Sequence, residues 1–299
     1  MRALTFLLII FLHTLGSSAF CGEENTKGVT LIHEGEQALF LSIDSIKKVR
    51  DRVTSRDPNF ESKKLSSFSG IPLKRFLEKG GLFDCKGGVT VIGHDQYAVY
   101  LPQKMVEDPR VILAVTQNGE PLPMFKGGPV KLILPPEYGL HLSAYCWYVE
   151  TIVAGEPEAP KLTIDQGETR KIWTPKTLES LSSVDLSLFL SIPRGYRVGG
   201  ETLSQPARIR AVSLTSLFGK ELGGLTVTFV PFSGRSLSMP GDILSGCHVL
   251  LVYAVEDERL HTSLGGPFSV YFPVMRCKSL DGVAPDSGAL FFIKEIRLE

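Results

Sequence analysis

The sequence predicts a β-rich α+β protein made of two tandem mixed α/β domains, and three observations carry that expectation. The first is a repeat: VILAVT at 111–116 leads through NGEPLP into GGPVKLILP, while VLLVYA at 249–254 leads through EDERLH into GGPFSVYFP, with no gap between the copies. The second is the alternation of half-exposed strands in YAVYLP, Tyr97 to Pro102, and in RSLSMP, Arg235 to Pro240. The third is a short amphipathic helix closed by glycine, KRFLEKGG after Ile71-Pro72-Leu73 and TSLFGKELGG after Val212-Ser213-Leu214.

Each remaining element has a local reason. Ser42-Ile43-Asp44-Ser45-Ile46 and Thr174-Pro175-Lys176-Thr177-Leu178 open helices, with Ser42 or Thr174 as the cap and Pro175 at the first helical position. The basic run Lys47-Lys48-Val49-Arg50-Asp51-Arg52 then reads, at helical spacing, as the solvated face opposite Ile43, Ile46, Val49 and Val53. Val89-Thr90-Val91 and Leu225-Thr226-Val227 open matching strands. Asn118-Gly119 tolerates the positive φ of a tight reversal, and Gly127-Gly128 lets two backbones approach closely. Tyr145 to Ile152 and Leu290 to Ile296 are apolar strands that return to the sheet. The domains expected are 28–155 and 160–299, joined by the Pro/Glu-rich linker Gly155 to Pro160.

Arg2 precedes the apolar run Leu4 to Leu12, and Gly16-Ser17-Ser18-Ala19 supplies small residues for cleavage. Together they predict a signal peptide over 1–19 and a periplasmic or secreted protein. The run falls short of the roughly 20 residues that span a bilayer, so no membrane span is expected in the mature chain. A lipid anchor at Cys21 is the alternative exit, and Phe20 opposes it because lipoprotein processing prefers a small residue there.

Composition excludes several classes. Lys+Arg and Asp+Glu are equal at 32 each, so no basic field recruits nucleic acid or an anionic membrane. There is no CxxC, P-loop, nucleophile elbow or dinucleotide fingerprint, and the six histidines show no close pairing with another ligand type. The five cysteines are Cys21, Cys85, Cys146, Cys247 and Cys277, so without lipidation at least one lacks an intramolecular partner. Cys146 and Cys247 read as buried small hydrophobes, while Cys85 and Cys277 flank loops and are left open as bonded or free.

One family gathers several of these stretches. Phe68-Ser-Gly-Ile-Pro-Leu-Lys-Arg-Phe-Leu-Glu-Lys-Gly-Gly81, Val89-Thr-Val-Ile-Gly-His-Asp-Gln-Tyr97, Asn118-Gly-Glu-Pro-Leu122, Gly127-Gly-Pro-Val-Lys-Leu-Ile-Leu-Pro135, Tyr138-Gly139 and Trp147-Tyr-Val-Glu-Thr-Ile152 together resemble the oxidoreductase molybdopterin-binding domain of sulfite oxidases and periplasmic methionine-sulfoxide reductases. The second copy keeps the strand, Gly265-Gly266-Pro267 and the closing strand, and looks like a divergent sibling. The resemblance implies the sulfite-oxidase-type fold and a molybdopterin held in a cleft, with molybdenum bound through one cysteine thiolate. In the family that cysteine lies shortly upstream of W-x-G-x-P-L. Here RVTSRDPNFESKKLSSFSGIPL contains none, nor does PRGYRVGGETLSQPARIRAVSL in the second copy. Molybdenum is therefore doubtful, because soft sulfur is the ligand that fixes it.

The resemblance places Tyr138, Gly139 and His141 on the loop that approaches the cofactor, and these are the candidate binding residues. No residue is assigned as catalytic or as a metal ligand. His94-Asp95 has the make-up of an oriented base, but the family comparison puts a hairpin turn there, and that reading is taken. The expectation is an exported molybdopterin-oxidoreductase-like pseudoenzyme, a binding or scaffolding component with a periplasmic redox protein as candidate partner. The alternative is an active molybdopterin-dependent oxidoreductase of the sulfite oxidase type with atypical metal ligation.

Overall fold

The computed structural model describes residues 27–49, 51–57, 61–84, 86–155, 159–181, 183–188, 195–197, 207–218, 222–285 and 287–299. The segment 1–19 expected as a signal peptide, Cys21, Cys85 and the middle of the linker lie outside them.

The first half runs β1 (Gly28–His33), β2 (Glu36–Ser42), α1 (Ile43–Lys47), β3 (Asp51–Asp57), β4 (Glu61–Pro72), α2 (Leu73–Lys79), β5 (Val89–Gly93), β6 (Ala98–Leu101), α3 (Gln103–Val106), β7 (Ile112–Gln117), β8 (Glu120–Pro121), β9 (Lys131–Ile133) and β10 (Val149–Ala154). The second runs β11 (Leu162–Gln166), β12 (Thr169–Trp173), α4 (Pro175–Glu179), β13 (Ser183–Leu188), β14 (Gly195–Arg197), β15 (Ala207–Ser213), α5 (Leu214–Phe218), β16 (Thr226–Pro231), β17 (Leu237–Pro240), α6 (Gly241–Gly246), β18 (Leu250–Val255), β19 (Glu258–Arg259), β20 (Ser269–Tyr271), β21 (Ala289–Leu290) and β22 (Ile293–Leu298). The fold is α+β and dominated by strands.

Each half builds one sheet in the same order, β6-β5-β10-β1-β2 and β17-β16-β22-β11-β12. In each, the closing strand pairs in parallel with the opening one, Thr30 opposite Thr151 and Thr163 opposite Glu295. A second sheet in each half carries the strand ahead of Gly-Gly-Pro, as β3-β4-β7-β8 with β9 on β7, and as β13-β15-β18 with β19 and β20 on β18.

The capping residues behave as their chemistry dictates. Ser42 Oγ accepts from the Ser45 N–H at 3.2 Å, and Thr174 forms a reciprocal box with Thr177 behind Pro175. The basic run departs from expectation, because α1 stops at Lys47 and Asp51–Asp57 is a strand. Val53 and Thr54 pair with Phe68 and Ser67 on β4, and β-branched residues facing a partner strand outcompete a helical continuation.

The two Gly-Gly-Pro segments share one geometry. Gly127 and Gly265 take φ of 90° and 89°, and both Gly128–Pro129 and Gly266–Pro267 are cis. A Cβ on Gly127 would stand 2.7 Å from Trp147 Cγ, and one on Gly265 would stand 2.5 Å from Phe291 Cδ1. Glycine is therefore required on two counts, positive φ and an aromatic ring laid against the backbone.

Each half has its own core. Leu73, Phe76 and Leu77 of α2 pack with Val89, Val91 and Ile152 in the first; Leu214, Phe218, Val227, Phe229 and Ile296 pack in the second. A third cluster bridges them, setting Ile32, Ile92, Ala98 and Val153 on the far face of the first sheet against Ala289, Phe291 and Phe292. Thr90 and Thr262 hydrogen-bond at 2.8 Å within that buried junction. At its edge Glu150 accepts from Ser233 Oγ at 2.9 Å and from the Gly234 N–H at 3.2 Å. β14 adds itself in parallel to β6, so a strand from the second half extends the first half's sheet.

Cys247 is buried as expected but is not a lone thiol, since it is bonded to Cys277 with the Cα atoms 5.5 Å apart. A cysteine pointing into the core and one on the loop beyond β20 meet there, a proximity that separation along the chain conceals. No helix among the described residues is long and apolar enough to cross a membrane.

Candidate functional site

The β5–β6 turn and the long connection from β9 to β10 converge on one face of the first half. The turn is shaped by Asp95, whose Oδ1 accepts from the Tyr97 N–H at 3.1 Å, and by Gln96 at φ 64°. The connection makes two 3-10 turns, Pro136–Tyr138 and Leu142–Ala144. Tyr97 donates its hydroxyl to the Ser143 carbonyl at 2.6 Å, tying turn to connection. Between them opens a cleft of about 240 Å3, lined by Asp95, Tyr97, Leu142, Ser143, Tyr145, Trp147 and Tyr148.

The aromatic wall is held from behind. Lys131 Nζ lies 4.9 Å from the Trp147 ring centroid and donates to Asp57 Oδ2 at 2.8 Å, and both charged side chains have no exposure at all. Burial lowers the Lys131 pKa, and the Asp57 hydrogen bond opposes that shift. Tyr148 sits at φ 51°, its N–H on the Gly127 carbonyl at 2.9 Å. Its ring meets Trp147 edge-on, 6.0 Å between centroids at 82°, so the two rings form a corner.

Tyr138, Gly139 and His141 are placed beside this cleft, and none lines it. Tyr138 donates to Asp108 Oδ2 at 2.7 Å, and Arg110 donates to the same carboxylate at 2.8 and 3.1 Å. The Arg110 hydrogen bond, against burial, holds the Asp108 pKa at about 2. Burial first and the Asp108 contact second push Tyr138 up to about 12. Gly139 closes its 3-10 turn in the left-handed region at φ 61°. His141 is exposed and caps the next turn, its Nδ1 accepting from the Ser143 N–H at 3.3 Å. His94 faces Glu150 at 3.4 Å across the hairpin turn, and Asp95 is engaged with the Tyr97 backbone instead.

The lining residues Tyr145, Trp147 and Tyr148 read in sequence as part of a closing strand. The strand begins only at Val149, and the three aromatics belong to the approach that precedes it. Their density in Tyr145-Cys146-Trp147-Tyr148 was the available signal, and their proximity to the 95–97 turn was not visible in the sequence.

Residues 45–157 match the family model described as oxidoreductase molybdopterin binding domain. That stretch is similar to the molybdopterin-binding oxidoreductase family. Among solved structures the chain is similar to the sulfane dehydrogenase SoxCD from Paracoccus pantotrophus, at 12% identity and a TM-score of 0.36, over 82% of this chain and 75% of that one. No curated protein matches.

The family implies a molybdopterin, and the residues present can be tested against it. Metal ligation needs an accessible thiolate. The free cysteine among the described residues, Cys146, is fully buried, with Sγ 3.7 Å from the Tyr97 carbonyl and 3.6 Å from that of Trp147. Burial, with the charge of Asp95 added, pushes that thiol far above the ordinary cysteine range. Cys247 and Cys277 are consumed by each other. No group of three His, Cys, Asp or Glu among the described residues is placed to hold a metal ion. The aromatic corner suits a flat heterocycle, but the charged group lining the cleft is Asp95, which repels a phosphate-bearing cofactor. These residues do not fit a thiolate-bound molybdenum cofactor.

Proposed function

We propose that this protein is a non-catalytic relative of the molybdopterin-binding oxidoreductases, built from two divergent copies of one domain at 28–155 and 160–299. It acts as an exported binding or scaffolding component beside a periplasmic redox partner. The observation that carries the reading is the state of Cys146, the free thiol among the described residues, which is buried behind Tyr97 and Trp147 with its pKa raised by burial, whereas a ligand thiolate would have to be ionised and face the metal. Two copies are supported by the matching sheet orders and the twin Gly-Gly-Pro geometry. Export is supported by the Cys247–Cys277 disulfide, a bond that persists in oxidising compartments.

The test is a metal and pterin assay on protein purified from a host that synthesises and inserts the cofactor. The reading expects molybdenum far below one atom per chain. Stoichiometric molybdenum would overturn it in favour of an active oxidoreductase with atypical ligation, and Cys85→Ser would then show whether that thiol holds the metal.

A further inference from the structure

The cleft in the first half has a counterpart in the second that does something else. Phe291 and Phe292 occupy the positions of Trp147 and Tyr148 behind their Gly-Gly-Pro segment, with Phe292 at φ 60° and its N–H on the Gly265 carbonyl at 2.7 Å. The backbone geometry of Tyr148 thus belongs to the repeat. What differs is the environment. Phe291 and Phe292 are buried against Ile92 and Val153 of the first half, whereas Trp147 and Tyr148 line a cleft.

The chemistry of that cleft is specific. Two perpendicular rings form a corner, and Tyr97 and Tyr145 add further aromatic surface. The Tyr97 ring is fixed by its hydroxyl bond to Ser143, and Tyr145 is nearly fully buried. The Asp95 carboxylate is held at the mouth by the Tyr97 N–H. Among the described residues no lysine, arginine or histidine lines the walls, and the Lys131 charge behind Trp147 is met by Asp57 at 2.8 Å. Ring faces are negative, and rings around a fixed carboxylate attract a cation that sheds water easily. A compact, strongly hydrated ammonium of the lysine type gains less, because it must give up its hydrogen bonds to water. At about 240 Å3 the space lies below the range of drug-sized pockets, which begins at roughly 300 Å3.

We propose that the cleft of the first half binds a small quaternary ammonium group, with Trp147, Tyr148, Tyr97 and Tyr145 around the alkyl-covered cation and Asp95 as its counter-charge. The proposal rests on reading this cleft as a binding site, not a redox centre, and it names the ligand class that the family relationship does not.

The probe is choline, with its uncharged carbon isostere 3,3-dimethylbutanol as control and Trp147 emission as readout. Trp147 and Trp173 are the two tryptophans, so the titration uses Trp173→Phe. Choline is expected to give a saturable change and to bind about tenfold tighter than the isostere, within the range that a few cation–π contacts supply. Asp95→Asn and Tyr148→Leu should each weaken choline binding by about three- to tenfold while leaving the circular dichroism spectrum unchanged. Phosphatidylcholine vesicles form a second arm: binding there that Asp95→Asn weakens assigns the same headgroup chemistry to a lipid source. Equal binding of choline and the isostere, or no saturable response to choline or to vesicles, would overturn the proposal. Molybdenum occupancy would overturn the non-catalytic reading instead, and the two failures are read in separate assays.

Discussion

Removing the amine of Lys131 should cost the first half as much stability as emptying a core aromatic site. Lys131→Met keeps the length of the side chain and leaves Asp57, which has no exposure, without its bond at 2.8 Å. Breaking a buried ion pair from one side costs about 3–5 kcal/mol, because a desolvated charge loses its counter-ion. The lost contact at 4.9 Å to the Trp147 ring adds about 0.5–2 kcal/mol. A loss of about 4 kcal/mol shifts the unfolding equilibrium by roughly a factor of a thousand. The double variant Lys131→Met, Asp57→Leu removes both charges and should recover most of that loss, since apolar replacements of buried pairs are often neutral or stabilising. Urea unfolding followed by Trp147 emission, with all four corners of the cycle measured, gives the coupling directly. If Lys131→Met came within about 0.5 kcal/mol of the parent, or if the double variant were as damaged as the sum of the single ones, the pair would not support the cleft wall as argued.

Other outcomes follow from the same structure. Cys247→Ser, or reduction of the native protein, should destabilise the second half by about 3–4 kcal/mol, the chain-entropy cost of opening a loop closed across a separation of 30 residues, measured by denaturant midpoint with and without reductant. Asp108 has a depressed folded pKa of about 2, so its contribution is present above the ordinary carboxylate value and is lost as pH falls from about 4 to about 2. Thermal melts of Asp108→Asn should lack that limb. Tyr138 has a raised pKa of about 12, so its contribution holds below about 10 and is lost as pH climbs toward 12. Tyr138→Phe should flatten the alkaline limb in the same melts. Gly127→Ala sets a Cβ 2.7 Å from Trp147 Cγ at φ 90°, and should cost at least about 1–3 kcal/mol and shift Trp147 emission.

Much of the architecture was legible because it rests on local rules. Caps at Ser42 and Thr174, glycine-closed helices, and period-two strands were each dictated within a few residues, and saying them twice fixed their order. What stayed hidden is long-range. Asp51–Asp57 carries as many charges as an exposed helix face, and only its pairing with β4 makes it a strand. Cys247 has the environment of a core residue, and its partner arrives from 30 residues away. The candidate site shows the same divide. The connection that holds Tyr138 and His141 could be singled out by its turns, but whether a tyrosine faces a cleft or an Asp108–Arg110 pair depends on contacts across the fold.

The repeat also accounts for there being a cleft in one half and a junction in the other. The 3-10 turn Met124–Lys126 in the first half corresponds to Thr262–Leu264 in the second. Thr262, 1% exposed, bonds Thr90 on the first half's sheet, and the phenylalanine corner behind it packs on the same face. Met124 and Phe125, by contrast, are 59% and 70% exposed. The outward face of β16 and β22 presents Thr226, Thr228, Val230 and Arg297, a more polar set than the Ile32, Ile92, Ala98 and Val153 of the first half's sheet. Docking runs from the second half's corner onto the first half's sheet. The second half buries its aromatic corner in the junction, and the first half's corner lines a cleft together with Asp95. One chain thus presents a single accessible corner among the described residues, and its chemistry is that of the first half alone.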